Sequence, residues 1–114
     1  MNHARLPAHL EASGLLRRAE AAGGFATILT RGDRERGVMV VILAERGTHF
    51  ACLERGLAAT GAYLWQKVGP ESEATAVEVS GWCAQRRKFD RDLWLIELDV
   101  PQPERFIAET IAIG

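Results

Sequence analysis

Two short segments of this sequence consist entirely of apolar residues, and they constrain the fold more than any other feature. Residues 38–43 read VMVVIL and residues 93–96 read LWLI. Successive side chains of a β-strand point to opposite faces of a sheet, so a strand with one face in water alternates apolar and polar residues. Neither segment alternates. We therefore expect two strands that other parts of the chain cover on both faces.

Three segments have the features of helices and could supply that cover. The first follows Pro7, which suits the first turn of a helix, and ends before Gly23–Gly24. The second begins at Thr75, where Thr-Ala-Val-Glu fits a capping box, and runs to about residue 88. A short third helix follows Pro101 and Pro103.

Five segments have the composition of β-strands and fill most of the remaining chain. They are rich in apolar and β-branched residues and are separated by glycine-containing or polar turns: residues 24–31, 37–45, 48–55, 62–68 and 93–100. The first four read most simply as an antiparallel meander of two linked hairpins. We therefore predict an α/β (α+β) fold, a three-layer α/β/α sandwich around a mostly antiparallel five-stranded sheet with three helices. The predicted order is α-β-β-β-β-α-β-α.

Length and charge restrict the class of protein. The 114 residues match one domain, spanning 1–114, and no apolar stretch approaches the length that a transmembrane helix needs. Fourteen Lys and Arg against 15 Asp and Glu give a net charge of -1, which argues against a nucleic-acid-coating protein. Two cysteines without CxxC spacing predict free, buried thiols. We expect a cytoplasmic protein that does not enter a membrane.

Two groups of basic residues invite a binding hypothesis. Arg86 and Arg87, followed by a lysine, could neutralise phosphates, but positive side chains in the last turn of a helix also complement its unpaired carbonyls. We favour the helix-end explanation, and nucleic acid is not the expected partner. Arg31, Asp33 and Arg34 lie in a glycine-flanked loop, where contact with a partner is an alternative to simple solvation.

Two acidic residues, Glu97 and Asp99, share one face of the fifth strand. A pair of carboxylates could perform acid/base chemistry or contact a ligand, and an acid inside an apolar strand needs a partner. The order of elements is also that of metal-dependent nucleases, but the sequence lacks their acidic residue and Glu-x-Lys pair. His49 and Cys52, three residues apart on a strand, should point to opposite faces. We predict no catalytic residue, metal site or cofactor.

Much of the chain resembles a known family. The segments RLPAHLEASGLLRRAEAAGGFATILTRGD, ERGLAATGAYLWQKVGP and FDRDLWLIELDVPQPERF are similar to small bacterial proteins of domain-of-unknown-function family 1491. The most specific part is the run F-D-x-D-L-W-x-x-E-L-D at residues 89–99. The resemblance implies one cytoplasmic domain of this size with α/β layering, and it brings no activity, cofactor or site residue.

The function expected from these observations is that of a small, non-catalytic binding or protein-interaction module. It could form a homodimer through the terminal strand of its open sheet, with residues 62–68, including Tyr63 and Trp65, as the candidate contact. The alternative is a degenerate nuclease-like protein or another small hydrolase that uses acidic residues near strand ends. A pocket lined by Glu97, Asp99 and arginines would favour the enzyme, and a flat charged surface would favour the module.

Overall fold

The three helices lie where the sequence predicts them. A computed structural model describes residues 6–57 and 59–111 of the chain. Its helices are α1 (Ala8–Ala21), α2 (Ala76–Phe89) and α3 (Pro103–Phe106), and the last continues as a turn of π-helix at Ile107–Ile111. None of the helices in this described part is both long and apolar enough to cross a bilayer.

The predicted capping box begins α2. The Thr75 hydroxyl accepts a hydrogen bond from the backbone N–H of Glu78 at 3.1 Å, and the Glu78 carboxylate accepts one from the N–H of Thr75 at 2.8 Å. Each side chain satisfies a backbone donor that the first turn of a helix leaves free. The start of α2 was therefore predictable from four residues.

Five strands form one mixed sheet that is mostly antiparallel. The strands are β1 (Phe25–Thr30), β2 (Met39–Glu45), β3 (Thr48–Leu57), β4 (Tyr63–Val68) and β5 (Trp94–Asp99). Their order across the sheet is β1-β5-β2-β3-β4, with a parallel pairing between β2 and β5 and antiparallel pairings elsewhere. The α+β fold class is therefore confirmed, and β1 and β4 are the two edge strands.

The prediction that the first four strands form a meander was wrong at β1. This strand does not pair with β2, because β5 lies between them. The connecting loop passes close to the start of β5, where the backbone carbonyl oxygen of Asp92 approaches both Gly32 and Gly37. The apolar composition of β5 explains its place: a strand that is apolar on both faces is most stable at the centre of a sheet. The β2–β3 and β3–β4 pairings are as predicted.

The central strands are buried on both faces, as their sequences indicate. Alternate residues of β2 and β5 belong to two separate apolar clusters. The first cluster contains β2 and β5 residues together with α1 and α3: Met39, Val41, Leu43, Trp94, Ile96, Leu98, Ala8, Ala12, Leu15, Ala19 and Phe106 are among its members. The second contains Val40, Ile42, Cys52, Leu93, Leu95 and, from α2, Cys83. Three complete layers stay a prediction, because Cys83 is the one fully buried residue of α2.

Candidate functional site

A cleft with a volume of about 460 Å³ lies between α2 and the sheet. Strands β1, β2, β3 and β5 line one side with Leu29, Thr30, Ile42, Ala44, His49 and Glu97, and Gly47 adds the β2–β3 turn. The helix and the segment before it line the other side with Ala74, Ala76, Val79, Ser80, Cys83 and Arg87. This volume is within the range of small-molecule sites, about 300–1,000 Å³.

The local sequence explains why this cleft is open. The lining residues of α2 recur at spacings of three or four, which places them on one face of the helix. Several of these positions hold small side chains, such as Ala76 and Ser80, and Ala44 faces them from β2. Large residues here would bring helix and sheet into full contact. The small ones leave a gap, and Leu29 on the edge strand β1 remains 44% exposed beside it.

Glu97 places a carboxylate in this cleft from the middle of β5. Its neighbours across the sheet are Thr27 on β1 and Ile42 on β2. The residue is partly buried. Within the described residues, no hydrogen bond or ion pair reaches its carboxylate. The partner that the sequence led us to expect for Glu97 is therefore not supplied by these residues.

Arg87 brings the opposite charge into the same cleft from the last turn of α2. Its guanidinium Nη1 lies 3.5 Å from the hydroxyl oxygen of Thr30, the outer limit of a hydrogen bond. Among the residues that the structure describes, Arg87 forms no ion pair. Its position near the end of the helix also fits the helix-end role that we favoured. The two roles are compatible, because a positive charge in the last turn of α2 can interact with the free carbonyl groups of the helix end and also line the cleft.

Two cysteines lie at the cleft, Cys83 in its lining and Cys52 in the apolar cluster beside it, and neither is a nucleophile at neutral pH. Burial raises the pKa of the Cys52 thiol to about 12, and the nearby Cys83 adds to the effect. Burial also raises the pKa of Cys83, with Arg87 opposing the shift and Glu97 adding to it. The thiolate is the reactive form of cysteine. Both residues therefore act as small apolar side chains, as predicted.

His49, which sequence reasoning set aside, is another polar group at the cleft, and the bulge where β2 pairs with β3 places it on the same face as Cys52, so the prediction of opposite faces was wrong. It is buried, with 8% of its surface exposed, and its Nε2 lies 3.2 Å from the carbonyl oxygen of Pro70. This contact ties β3 to the segment that leads into α2. Cys83 lines the same cavity from α2. In residues 6–57 and 59–111, no three His, Cys, Asp or Glu side chains are grouped so that they could hold a metal ion.

Asp99 and Arg86 have structural partners outside the cleft. The two carboxylate oxygens of Asp99 accept hydrogen bonds from the backbone N–H groups of Arg46 and Gly47, at 2.8 and 2.9 Å. Arg46 has a φ of 51°, so Asp99 supports a tight turn in a left-handed conformation. Arg86 pairs with Glu54 at 2.8 Å and lies over the Trp82 ring, 5.4 Å from its centroid.

The loop with Arg31, Asp33 and Arg34 is also held by the fold. The carboxylate of Asp33 accepts hydrogen bonds from the N–H groups of two following residues, at 2.9 and 2.8 Å, and these bonds lower its pKa. Its carbonyl oxygen accepts a hydrogen bond from the indole N–H of Trp94 at 2.7 Å. Arg31 lies over the same ring, and Arg34 reaches His9 at 3.4 Å. This loop closes one end of the sheet.

The structure thus brings together two of the seven residues predicted to contact a ligand or partner, Glu97 and Arg87. Sequence reasoning missed Thr30, His49 and Ser80, which line the same cleft. The spacing of Val79 and Cys83 on α2 was the available signal for its inner face. No periodicity in one strand or helix reveals how far apart two packed elements lie, so the cleft itself could not be predicted.

Comparisons with known proteins give a family and a fold. The chain matches the model of a family described as "Protein of unknown function (DUF1491)" over residues 6–108. It is similar to an NMR structure of a DUF1491 family protein from Caulobacter crescentus CB15, with 22% identity and a TM-score of 0.75 over 89% of this chain and 91% of the other.

Two further solved structures show the same fold. A solution structure of a protein from A. tumefaciens has 23% identity and a TM-score of 0.73, covering 87% of this chain and 89% of the other. A crystal structure of a DUF1491 family protein from Caulobacter crescentus CB15 also has 23% identity and a TM-score of 0.73, covering 82% and 86%. No curated protein matches the chain.

Proposed function

We propose a function for this chain, which belongs to the DUF1491 family of proteins of unknown function: it is a non-catalytic module that binds a small molecule in the cleft between α2 and the sheet. One observation carries the proposal. Glu97 and Arg87 present opposite charges to one cavity with both apolar and polar lining residues, and neither has an ion-pair partner among the described residues. A concave, mostly apolar site with a few convergent polar groups is the usual form of a small-molecule site.

The chemistry of the cleft supports binding over catalysis. The thiol of Cys83 is protonated at neutral pH because burial raises its pKa, so it is a poor nucleophile. Two of the carboxylates that a nuclease-like or hydrolase mechanism would recruit have other partners, since Glu54 pairs with Arg86 and Asp99 accepts hydrogen bonds from a turn. Among the described lining residues, this leaves Glu97 without a second acid in the cleft. No observation specifically favours the hydrolase alternative.

Two further expectations stay proposals. The first is a cytoplasmic location in a bacterial cell, which is consistent with neighbours of known structure from bacteria. The second is a homodimer formed by antiparallel pairing of β4, an edge strand whose Leu64 is 47% exposed. Sedimentation equilibrium should then give twice the chain mass, and a monomer mass at every concentration would contradict it.

The proposed function predicts where small molecules will bind. Mixtures of charged and uncharged metabolite-sized compounds, added to ¹⁵N-labelled protein, should shift the amide resonances of Ile42, Val79 and Cys83, which line the cleft. We expect compounds that bind to have dissociation constants of about 1 mM or below. A dissociation constant of 1 mM corresponds to about 4 kcal/mol of binding free energy. The measurement is a two-dimensional ¹H–¹⁵N spectrum of each mixture.

A matched pair of variants tests whether the cleft is the site. Ser80→Trp should fill the cavity and remove binding, because Ser80 lines it. Gln85→Trp adds the same side chain to an exposed position about 140° around α2 from Ser80 and should leave binding unchanged. Binding that survives in Ser80→Trp, or shifts that map to another surface, would contradict the proposal.

A further inference from the structure

We infer that the ligand of this cleft is a small zwitterion of the amino-acid type, with one ammonium group, one carboxylate and a short aliphatic body. This inference rests on the proposed function and deepens it. It follows from three features of the cleft: the two opposite charges among its lining residues, the lack of an ion pair between these charges, and the apolar side chains that line the cleft with them.

The ammonium group is required by Glu97. This carboxylate lies in a strand whose flanking residues, Ile96 and Leu98, are fully buried, and it faces the cavity beside Ile42. In the described residues it receives no hydrogen bond. A partly buried carboxylate is best satisfied by a donor, and a charged donor forms the stronger hydrogen bond. A ligand ammonium group supplies up to three such donors.

The carboxylate of the ligand is inferred from Arg87, an exposed residue at the cleft. Its guanidinium lines the same cavity from α2, and its contact with Thr30 Oγ1 at 3.5 Å leaves most of its donors free within the described part of the chain. A guanidinium fork matches a carboxylate in geometry and charge. A ligand with only an anionic group would leave Glu97 unsatisfied and would be repelled by it. A ligand with only a cationic group would leave Arg87 unused.

The aliphatic body of the ligand is inferred from the apolar side chains that line the cleft. Ile42, Ala44 and Val79 offer methyl groups and no hydrogen-bonding atoms, and Leu29 borders the cleft from β1. Among the described lining residues, the one aromatic ring is the imidazole of His49. Apolar contact stabilises aliphatic chains in proportion to the area removed from water. A short aliphatic amino acid therefore fits this apolar part of the lining.

Four probes of matched size test this inference. L-norvaline and 5-aminopentanoate carry both charges at two spacings, whereas pentanoate lacks the ammonium group and butylamine lacks the carboxylate. At least one zwitterion should bind the wild-type protein about tenfold more tightly than both single-charge probes, because each loses one charge-assisted hydrogen-bonded pair. Isothermal titration calorimetry gives the affinities, and amide shifts of the cleft residues confirm the location.

Three variants assign the charges. Glu97→Gln should weaken the zwitterion about tenfold and should not weaken pentanoate, and Arg87→Gln should weaken the zwitterion and should not weaken butylamine. Arg91→Gln removes one positive charge, as Arg87→Gln does, but from an exposed turn outside the cleft. It should change neither the affinity for the zwitterion nor that for butylamine. Circular dichroism checks that each variant is folded.

The outcomes separate the ligand class from the proposed function. If a single-charge probe binds as tightly as both zwitterions, the ligand class is wrong, while shifts at the cleft still support a small-molecule site. If no probe shifts the cleft residues, the ligand class is wrong as well, and the screen with uncharged compounds decides the proposed function separately. Equal losses in Arg91→Gln and Arg87→Gln would also overturn the inference, since the effect would then be one of net charge.

Discussion

Replacement of Trp94 by alanine is expected to lower the free energy of unfolding by about 3–5 kcal/mol, a large part of the stability of a domain of this size. Trp94 is 1% exposed and lies in the apolar cluster between the sheet and α1. Its removal leaves a cavity and also removes the hydrogen bond from the indole N–H to the carbonyl oxygen of Asp33. Arg31 loses the ring over which it lies. Urea denaturation followed by circular dichroism measures the change.

A second variant separates packing from hydrogen bonding at this position. Trp94→Phe keeps an aromatic ring in the cluster but has no N–H to donate, so the Asp33 carbonyl oxygen loses this donor. We expect a smaller loss for it, about 1–3 kcal/mol. If Trp94→Ala lowers the free energy of unfolding by less than about 1 kcal/mol, the placement of this side chain in the core is contradicted. Removal of a fully buried aromatic ring costs more than this.

Gly32→Ala is expected to destabilise the protein by about 3 kcal/mol, since the new methyl group has no space. A Cβ atom at this position would clash with the carbonyl oxygen of Asp92 and would lie 2.7 Å from the carbonyl carbon of Leu93. Both are backbone atoms at the start of β5, so the clash moves the strand or the loop. This glycine allows the chain from β1 to cross the end of β5.

Gly81→Ala is the matched control and should have the opposite sign. Gly81 lies within α2, and a Cβ atom there meets nothing within 4 Å. Alanine should therefore stabilise the helix by about 0.5–1 kcal/mol. Thermal and urea denaturation of the two variants give the comparison. If Gly32→Ala is as stable as the wild type, the close approach of the 31–38 loop to β5 is incorrect.

The central position of β5 could be predicted from its sequence, but the pairing of β1 could not. Residues 93–96 are apolar at every position, which is unfavourable at a sheet edge, and the structure places β5 between β1 and β2. The glycine-flanked loop between β1 and β2 looks like a hairpin connection, because turn composition alone does not distinguish a hairpin from a loop that passes another strand. If a strand with two apolar faces is always placed at the centre of the sheet, β5 takes an inner position and the predicted meander is excluded.

The candidate site was predictable in its charges and not in its shape. Glu97 was identified because an acid inside an apolar strand is unusual, and Arg87 because of its place in a basic group at a helix end. The other arginines and acids of the prediction have partners elsewhere in the fold, such as Glu54 for Arg86. A sequence gives the chemical type of each side chain, but pairings across 30 or more residues depend on tertiary packing. The cleft depends on the distance between α2 and the sheet in the same way.

The free energy of unfolding of Glu97→Gln tests the central claim most directly, because that claim assigns this carboxylate to binding and not to folding. No described residue donates to it, so an amide of the same shape should change stability by no more than about 0.5 kcal/mol. Urea denaturation at neutral pH, compared with the wild type, gives the value. A loss above about 1 kcal/mol would mean that the carboxylate stabilises the fold, and it would contradict the assignment of Glu97 to a ligand.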